Sequence, residues 1–296
     1  MHLPFGVSQY TTWPLTLAQD LKLYAEVGLE YIEVCEAKLD PKAPHAGLES
    51  LRASGLKVSS VQPRYHSPFP NSLRPEPKSP SERMSRLSES VRLFGSYFPG
   101  TTLVVNTGLA PEGDLASSYR TCVREFKSIA RLAASHGVRI GFEPLNPVYM
   151  NTDTFICSLA RAAQLIEAVD HPQFGLFLDL WHYWEDPAAK TWIRKSSEKI
   201  FGVQVSDWRT PRAFGDRLLP GAGEIPLADL LGDIRQTGYK GIYTLEIFSD
   251  LRLRDSLWAN PRRTVGRGRT GFARIWRQIR AAGTGRRGRG RQVALD

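Results

Sequence analysis

At 296 residues the chain is long for one ordinary domain but of usual size for an eight-unit βα barrel, and 42% hydrophobic with 10% aromatic residues is ample for one large core. The net charge of +9 does not describe the body: from Arg262 onward stand eleven Arg, no Lys and the single acid Asp296, so that segment carries +10 and everything before it −1. Cys35, Cys122 and Cys157, odd in number and widely spaced with no CxxC pair, are expected to be reduced, mostly buried thiols, and no stretch nears the roughly 18 apolar residues of a membrane span. The first residues, MHLPFGVSQYTTWPL, lack the basic-then-apolar pattern of a leader, so a soluble cytoplasmic protein is expected.

In chain order, strand-length apolar runs alternate with helix-length amphipathic stretches. The expected strands are Leu3 to Gln9, Tyr31 to Glu36, Lys57 to Pro63, Thr101 to Gly108, Arg139 to Leu145, Phe174 to Leu180, Phe201 to Asp207 and Ile242 to Phe248. Among the intervening stretches, Ser118 to Ser135 and Asp153 to Val169 have the three- and four-residue apolar spacing of helices. AEVGLEY, RASGLKV, ASHGVRI and RQTGYKG each place Gly where a helix must stop in a left-handed turn. Eight strand–helix units with mostly short connections predict a single α/β domain, a (β/α)8 TIM barrel over residues 1–281. Neither GxGxxG nor GxxxxGK[ST] occurs, so the main nucleotide-binding alternatives lack their phosphate cradle. Two connections are long: Arg64 to Arg83, rich in Pro and Ser and placed to act as a lid, and Asp207 to Pro226. Residues 282–296 have no apolar periodicity and are expected to be an Arg/Gly-rich flexible tail.

GLFLDLWHYW, Gly175 to Trp184, organises the rest. An apolar strand ends at Asp179 and His182 follows three residues later, at the end of the strand where barrels of this kind carry their chemistry. The bland alternative is that Asp179 caps a turn and His182 is an ordinary surface histidine. Neighbouring strands end in the same manner: Glu143 in GFEPLNP, Gln204 in VQVSD and Glu246 in TLEIF each interrupt an apolar run. Three carboxylates and an amide converging on one axis repel one another unless a cation holds them. An all-oxygen donor set favours one divalent metal ion, Mn2+ or Mg2+, admits Co2+ and suits Zn2+ less. The alternative is that each acid has its own Arg or Lys partner.

The order of Glu143, the Asp-x-x-His of Asp179 and His182, Gln204 in VQVSD, PGAGEI and LEIF resembles the xylose-isomerase-like barrel superfamily of sugar-phosphate isomerases and epimerases, over nearly all of the chain to about Trp276. The resemblance implies that Glu143, Asp179, Gln204 and Glu246 bind one divalent metal and that Glu143 and Glu246 double as acid/base groups. It also implies that His182 contacts substrate oxygens and that Arg217 in GDRLLPGAGE reaches the substrate or stabilises the metal shell. One departure stands out: the family most often has His where this chain has Gln204, and Gln there resembles a subset that includes 3-dehydroshikimate dehydratases. The superfamily's trinuclear-zinc endonucleases for abasic DNA need several more His ligands than this chain supplies.

Weaker candidates are Arg64 and His66, suited to a substrate carboxylate or phosphate, Asn106 at the end of the fourth strand, and Asn146, which could meet a substrate hydroxyl or form a turn before Pro147. Glu36 is a second-layer residue or a helix cap. Trp13, Trp181, Trp184 and Trp208 suit stacking on a sugar's apolar face or plain packing. The expected activity is metal-dependent isomerisation or epimerisation of a small polyhydroxy carbonyl compound by proton transfer next to the carbonyl. The alternative is a 3-dehydroshikimate dehydratase-like lyase with the same first step. A rival of another class is nucleic-acid binding through the Arg-rich tail, set against a merely solubilising extension. No membrane partner is expected, and because family members commonly pair, a homodimer fits the resemblance.

Overall fold

The computed structural model describes residues 3–211 and 215–288, with side chains described as far as Ala281. Runs that can be buried on both faces become parallel strands, and each amphipathic stretch becomes the helix that covers one. In order they are β1 (Phe5–Ser8), α1 (Leu17–Glu26), β2 (Tyr31–Cys35), α2 (Pro44–Ala53), β3 (Lys57–Gln62), α3 (Pro80–Tyr97), β4 (Thr102–Val105), α4 (Leu115–Ser135), β5 (Arg139–Phe142), α5 (Leu159–Val169), β6 (Phe174–Asp179), α6 (Ala189–Lys195), β7 (Ile200–Val205), α7 (Leu227–Gln236), β8 (Tyr243–Leu245) and α8 (Pro261–Gly288). The strands pair in sequence order, and β8 closes on β1 through Phe5↔Tyr243 and Val7↔Leu245, giving the expected (β/α)8 barrel. Every residue of β6 and β7 is buried, as strands packed on both faces require. No helix among the described residues is long and apolar enough to cross a membrane. Of the flexible tail expected at 282–296, the backbone of 282–288 continues α8, and the remainder lies outside the described residues.

The glycines of the four helix-stop signals have positive φ, from 64° at Gly28 to 86° at Gly238. The helix expected from Asp153 starts instead at Leu159, because Ser158 caps it by accepting from the Arg161 N–H. Asp153 is used elsewhere, accepting from both the backbone N–H and the hydroxyl of Ser72. That latch ties the long connection after β3 to the one after β5.

Arg83 on α3 is fully buried beneath the same connection and donates to the carbonyls of Ser67, Arg74 and Pro77. The stretch expected as a lid is therefore pinned from below and from the side. The long connection after β7 is built around Asp207, whose carboxylate accepts from the N–H groups of Trp208, Gly221, Gly223 and Ile225. A Cβ at Gly223 would run into the Trp208 carbonyl and the Asp207 carboxylate, which is why PGAGEI needs glycine there.

Candidate active site

Four polar side chains project where β5 to β8 end. Glu143 and Glu246 are the first residues beyond their strands, yet their N–H groups still bond to Val105 and Val205 of the neighbouring strands. Asp179 ends β6, and Gln204 pairs with it in register on β7. Their exposures are 7% for Glu143, 0% for Asp179 and Gln204, and 3% for Glu246, so all four converge inside the barrel mouth. The two oxygens of Asp179 are used differently. Its Oδ1 caps the 3-10 turn Leu180–His182 by accepting from the Trp181 N–H at 3.1 Å, while Oδ2 lies 3.3 Å from His182 Nε2.

His182 is buried and oriented from behind. Its Nδ1 accepts from the Asn146 backbone N–H at 3.0 Å, and the Asn146 amide donates to the His182 carbonyl at 3.2 Å. With Nδ1 occupied as acceptor, the proton of the neutral ring belongs on Nε2, which faces Asp179 Oδ2 and, at 3.6 Å, Glu143 Oε1. Glu143, Asp179 and His182 offer atoms within 4.8 Å of one another, but an Nε2 that carries its proton is a donor to oxygen and not a ligand. Asn146 thus acts through His182 and does not line the cavity.

Arg217 stands among the acids. Its Nη1 is 2.6 Å from Asp179 Oδ2 and 2.8 Å from Glu246 Oε2, and its guanidinium lies over the rings of Trp181 and Phe248. One arginine thus serves two of the three acids and meets part of the repulsion assigned to a metal. Burial alone would lower its pKa, but Asp179 and Glu246 outweigh burial and hold it above the ordinary value. Burial pushes the Glu246 carboxyl well up, Asp179 and Glu33 push the same way, and Arg217 only partly offsets them. Three carboxylates against one guanidinium still leave a formal charge of −2 in a buried site.

Gln204 donates both amide hydrogens, to Glu246 Oε1 at 2.7 Å and to Glu33 Oε1 at 2.8 Å. Its own Oε1 is buried without a partner, and Asp179 Oδ2, despite its short ionic contacts, receives no aligned hydrogen bond. Glu33 is a functional candidate that the sequence reading passed over. YIEVC shows the same signal as the later strands, a carboxylate interrupting an apolar run, and Glu33 is fully buried.

Above these groups is a cavity of about 280 Å³, lined by Glu143, His182, Arg217 and Glu246 on one side and by His66 and Asn106 among others. Tyr10, Gln62 and Tyr149 also line it and were not anticipated. Arg64 does not: its guanidinium donates to the carbonyls of Glu36 and Leu39, capping a turn, while Glu36 accepts from the Arg64 N–H and the Ser90 hydroxyl. The expectation of Arg64 as a substrate contact is therefore corrected, and Glu36 caps no helix but ties the loop at Arg64 to Ser90 on α3. Trp181 packs beneath Arg217, and Trp184 packs on Trp208.

Burial holds His66 neutral, with its pKa lowered to about 4, and its ring nitrogens contact the Pro63 carbonyl and the Asn71 amide. Between that value and about 6.5 the unfolded chain takes a proton that the folded chain refuses, so stability is lost as pH falls through this window. His66→Gln is expected to remove at most about 3 kcal/mol of that loss. Parallel wild-type and variant curves of urea stability against pH would contradict it.

The Xylose isomerase-like TIM barrel family model matches residues 21–275. A 3-dehydroshikimate dehydratase of Pseudomonas putida is 29% identical over 251 residues, covering 79% of this chain and 36% of that protein. An inosose isomerase of Halalkalibacterium halodurans is 28% identical over 134 residues, covering 44% of this chain and 46% of that protein. The chain thus spans about a third to a half of the length of these two relatives. Among solved structures, the IOLI protein with a binding zinc atom superposes with a TM-score of 0.74 at 17% identity, covering 92% of this chain and 98% of that one, which shows a shared fold. With the closed eight-strand barrel and a family match over most of its length, the chain belongs to the xylose isomerase-like TIM barrel family.

Proposed function

We propose that this chain is a divalent-metal-dependent isomerase or epimerase of a small polyhydroxy carbonyl compound, acting by proton transfer at the carbon next to the carbonyl. The observation that carries the reading is a pair of carboxylates facing one cavity, Glu143 from β5 and Glu246 from β8, three strands apart round the barrel. The donor set fits a metal: Gln204 Oε1 is a buried oxygen that receives no hydrogen bond, Asp179 Oδ2 receives no aligned one, and Arg217 leaves −2 uncompensated. Glu143, Asp179, Gln204 and Glu246 would hold the ion, whose positive charge would favour ionisation of the carbon acid.

The rest of the chemistry belongs to the side chains. Among the described residues no N–H or O–H bonds to Glu143, so its lone pairs are open to the cavity and it suits the base that removes the proton. Glu246 suits the group that returns it, at the other face or at the neighbouring carbon. His182, fixed as an Nε2 donor by Asn146, would hold a substrate oxygen. The same His182 proton suits expulsion of a β-hydroxyl as water. That feature and the dehydratase relative support a lyase of the 3-dehydroshikimate dehydratase kind as the second reading.

The test is to incubate Mn2+-loaded protein in heavy water with a panel of ketoses, inososes and hydroxy-keto acids. Deuterium at the carbon beside the carbonyl with every oxygen retained is the expected result, and loss of water would select the lyase. No exchange with any compound would overturn both readings. A chelator should abolish the exchange and Mn2+ restore it, whereas full activity of a metal-free preparation would end the metal assignment.

A further inference from the structure

Glu33 lies in the middle of β2 with no exposed surface, and among the described residues no Lys, Arg or His pairs with it. Its Oε2 accepts from the Ser60 hydroxyl at 2.6 Å and its Oε1 from Gln204 Nε2 at 2.8 Å. The second hydrogen of that same NH2 goes to Glu246 Oε1 at 2.7 Å. One carboxylate already disfavours turning a primary amide, and between two it is locked, because turning it would set its oxygen against two carboxylate oxygens. The lock leaves Gln204 Oε1 buried and without a donor. An imidazole could not take this place: with one nitrogen used as a ligand it has a single N–H, too few for both Glu33 and Glu246.

We propose that Glu33 is a positioning residue of the metal centre, which holds the Gln204 amide so that Oε1, and not Nε2, faces the ion. The proposal rests on the metal reading above. Glu33 touches neither ion nor substrate and acts through Gln204, so β2 joins β5 to β8 in building the site. Glu33→Gln weakens the lock without changing volume, since a second amide can donate as well as accept and makes a turned Gln204 less costly.

The test uses Co2+ as probe, following its visible absorption and its affinity by calorimetry in wild type, Glu33→Gln, Glu33→Asp, Gln204→Ala and the double variant Glu33→Gln/Gln204→Ala. Loss of this outer support is expected to weaken Co2+ binding by about 10- to 100-fold and to change the absorption spectrum, while far-ultraviolet circular dichroism stays that of wild type. Glu33→Asp, which keeps the charge but draws it back, should fall between, and it carries the test if Glu33→Gln does not fold. In the Gln204→Ala background Glu33→Gln should have no further effect. Wild-type protein that binds Co2+, with Glu33 variants matching it in affinity and spectrum, would overturn the role of Glu33 alone, as would additive effects in the double variant. Wild-type protein that binds no Co2+ would overturn the metal reading itself.

Discussion

Glu246→Gln is expected to lower turnover by about 10²- to 10⁴-fold at saturating Mn2+, the range for loss of a positioned acid/base group. The barrel should survive it. Glu246 accepts from Gln204 Nε2 on one oxygen and from Arg217 Nη1 on the other. An amide can satisfy one of these donors but must turn its NH2 toward the other, a conflict of about 1–3 kcal/mol. Against this stands the removal of a carboxylate whose ionisation burial already opposes, so net stability should change by less than that conflict alone. The two carboxylates can also be told apart. If Glu143 removes the proton and Glu246 returns it, the variant should still wash deuterium into the substrate while forming almost no product. Glu143→Gln should lose both. A Glu246→Gln protein turning over near the wild-type rate would take Glu246 out of the mechanism.

What could be read in the sequence follows from how far each signal travels along the chain. Strand order, barrel closure and the four side chains at the ends of β5 to β8 are local patterns, an apolar run broken by one polar residue, and GFEPLNP, LFLDLWH, VQVSD and TLEIF display them directly. YIEVC carries the same pattern, but Glu33 lies inside its strand and not at the end, so it falls outside a search for catalytic-face residues. What was not legible is pairing between distant segments. Arg64 and His66 both follow the third strand within a few residues, yet one caps the turn at Glu36 and Leu39 while the other lines the cavity, and no local feature separates them. Arg217 is the larger case. Its loop motif marks it as important, but only the folded barrel brings it between Asp179 and Glu246, where part of the charge assigned to a metal is already met.

Arg217→Leu is therefore the variant with the largest expected effect on stability. Asp179 and Glu246, at 0% and 3% exposure, would lose their shared guanidinium, and stranding buried carboxylates in this way costs about 3–5 kcal/mol in the metal-free protein near neutral pH. Part of the loss should be reversed by acid. The folded-state pKa of Glu246 already lies above its unfolded value, and without the Arg217 guanidinium, which pulls it down, the gap widens. The folded state then binds the extra proton, so this contribution is full below the unfolded pKa near 4.3 and lost as pH rises through the raised value. Mn2+ should rescue the variant at neutral pH, by about 4 kcal/mol at a concentration a thousand times its dissociation constant. It should also bind the variant more tightly than wild type, because Arg217 no longer competes for Asp179 Oδ2 and Glu246 Oε2. Thermal melts with and without Mn2+ decide among the outcomes. Rescue of the variant places ion and guanidinium on the same oxygens, no shift in either protein makes Arg217 the site's own counter-charge, and an unperturbed metal-free variant means these short contacts carry no energetic weight.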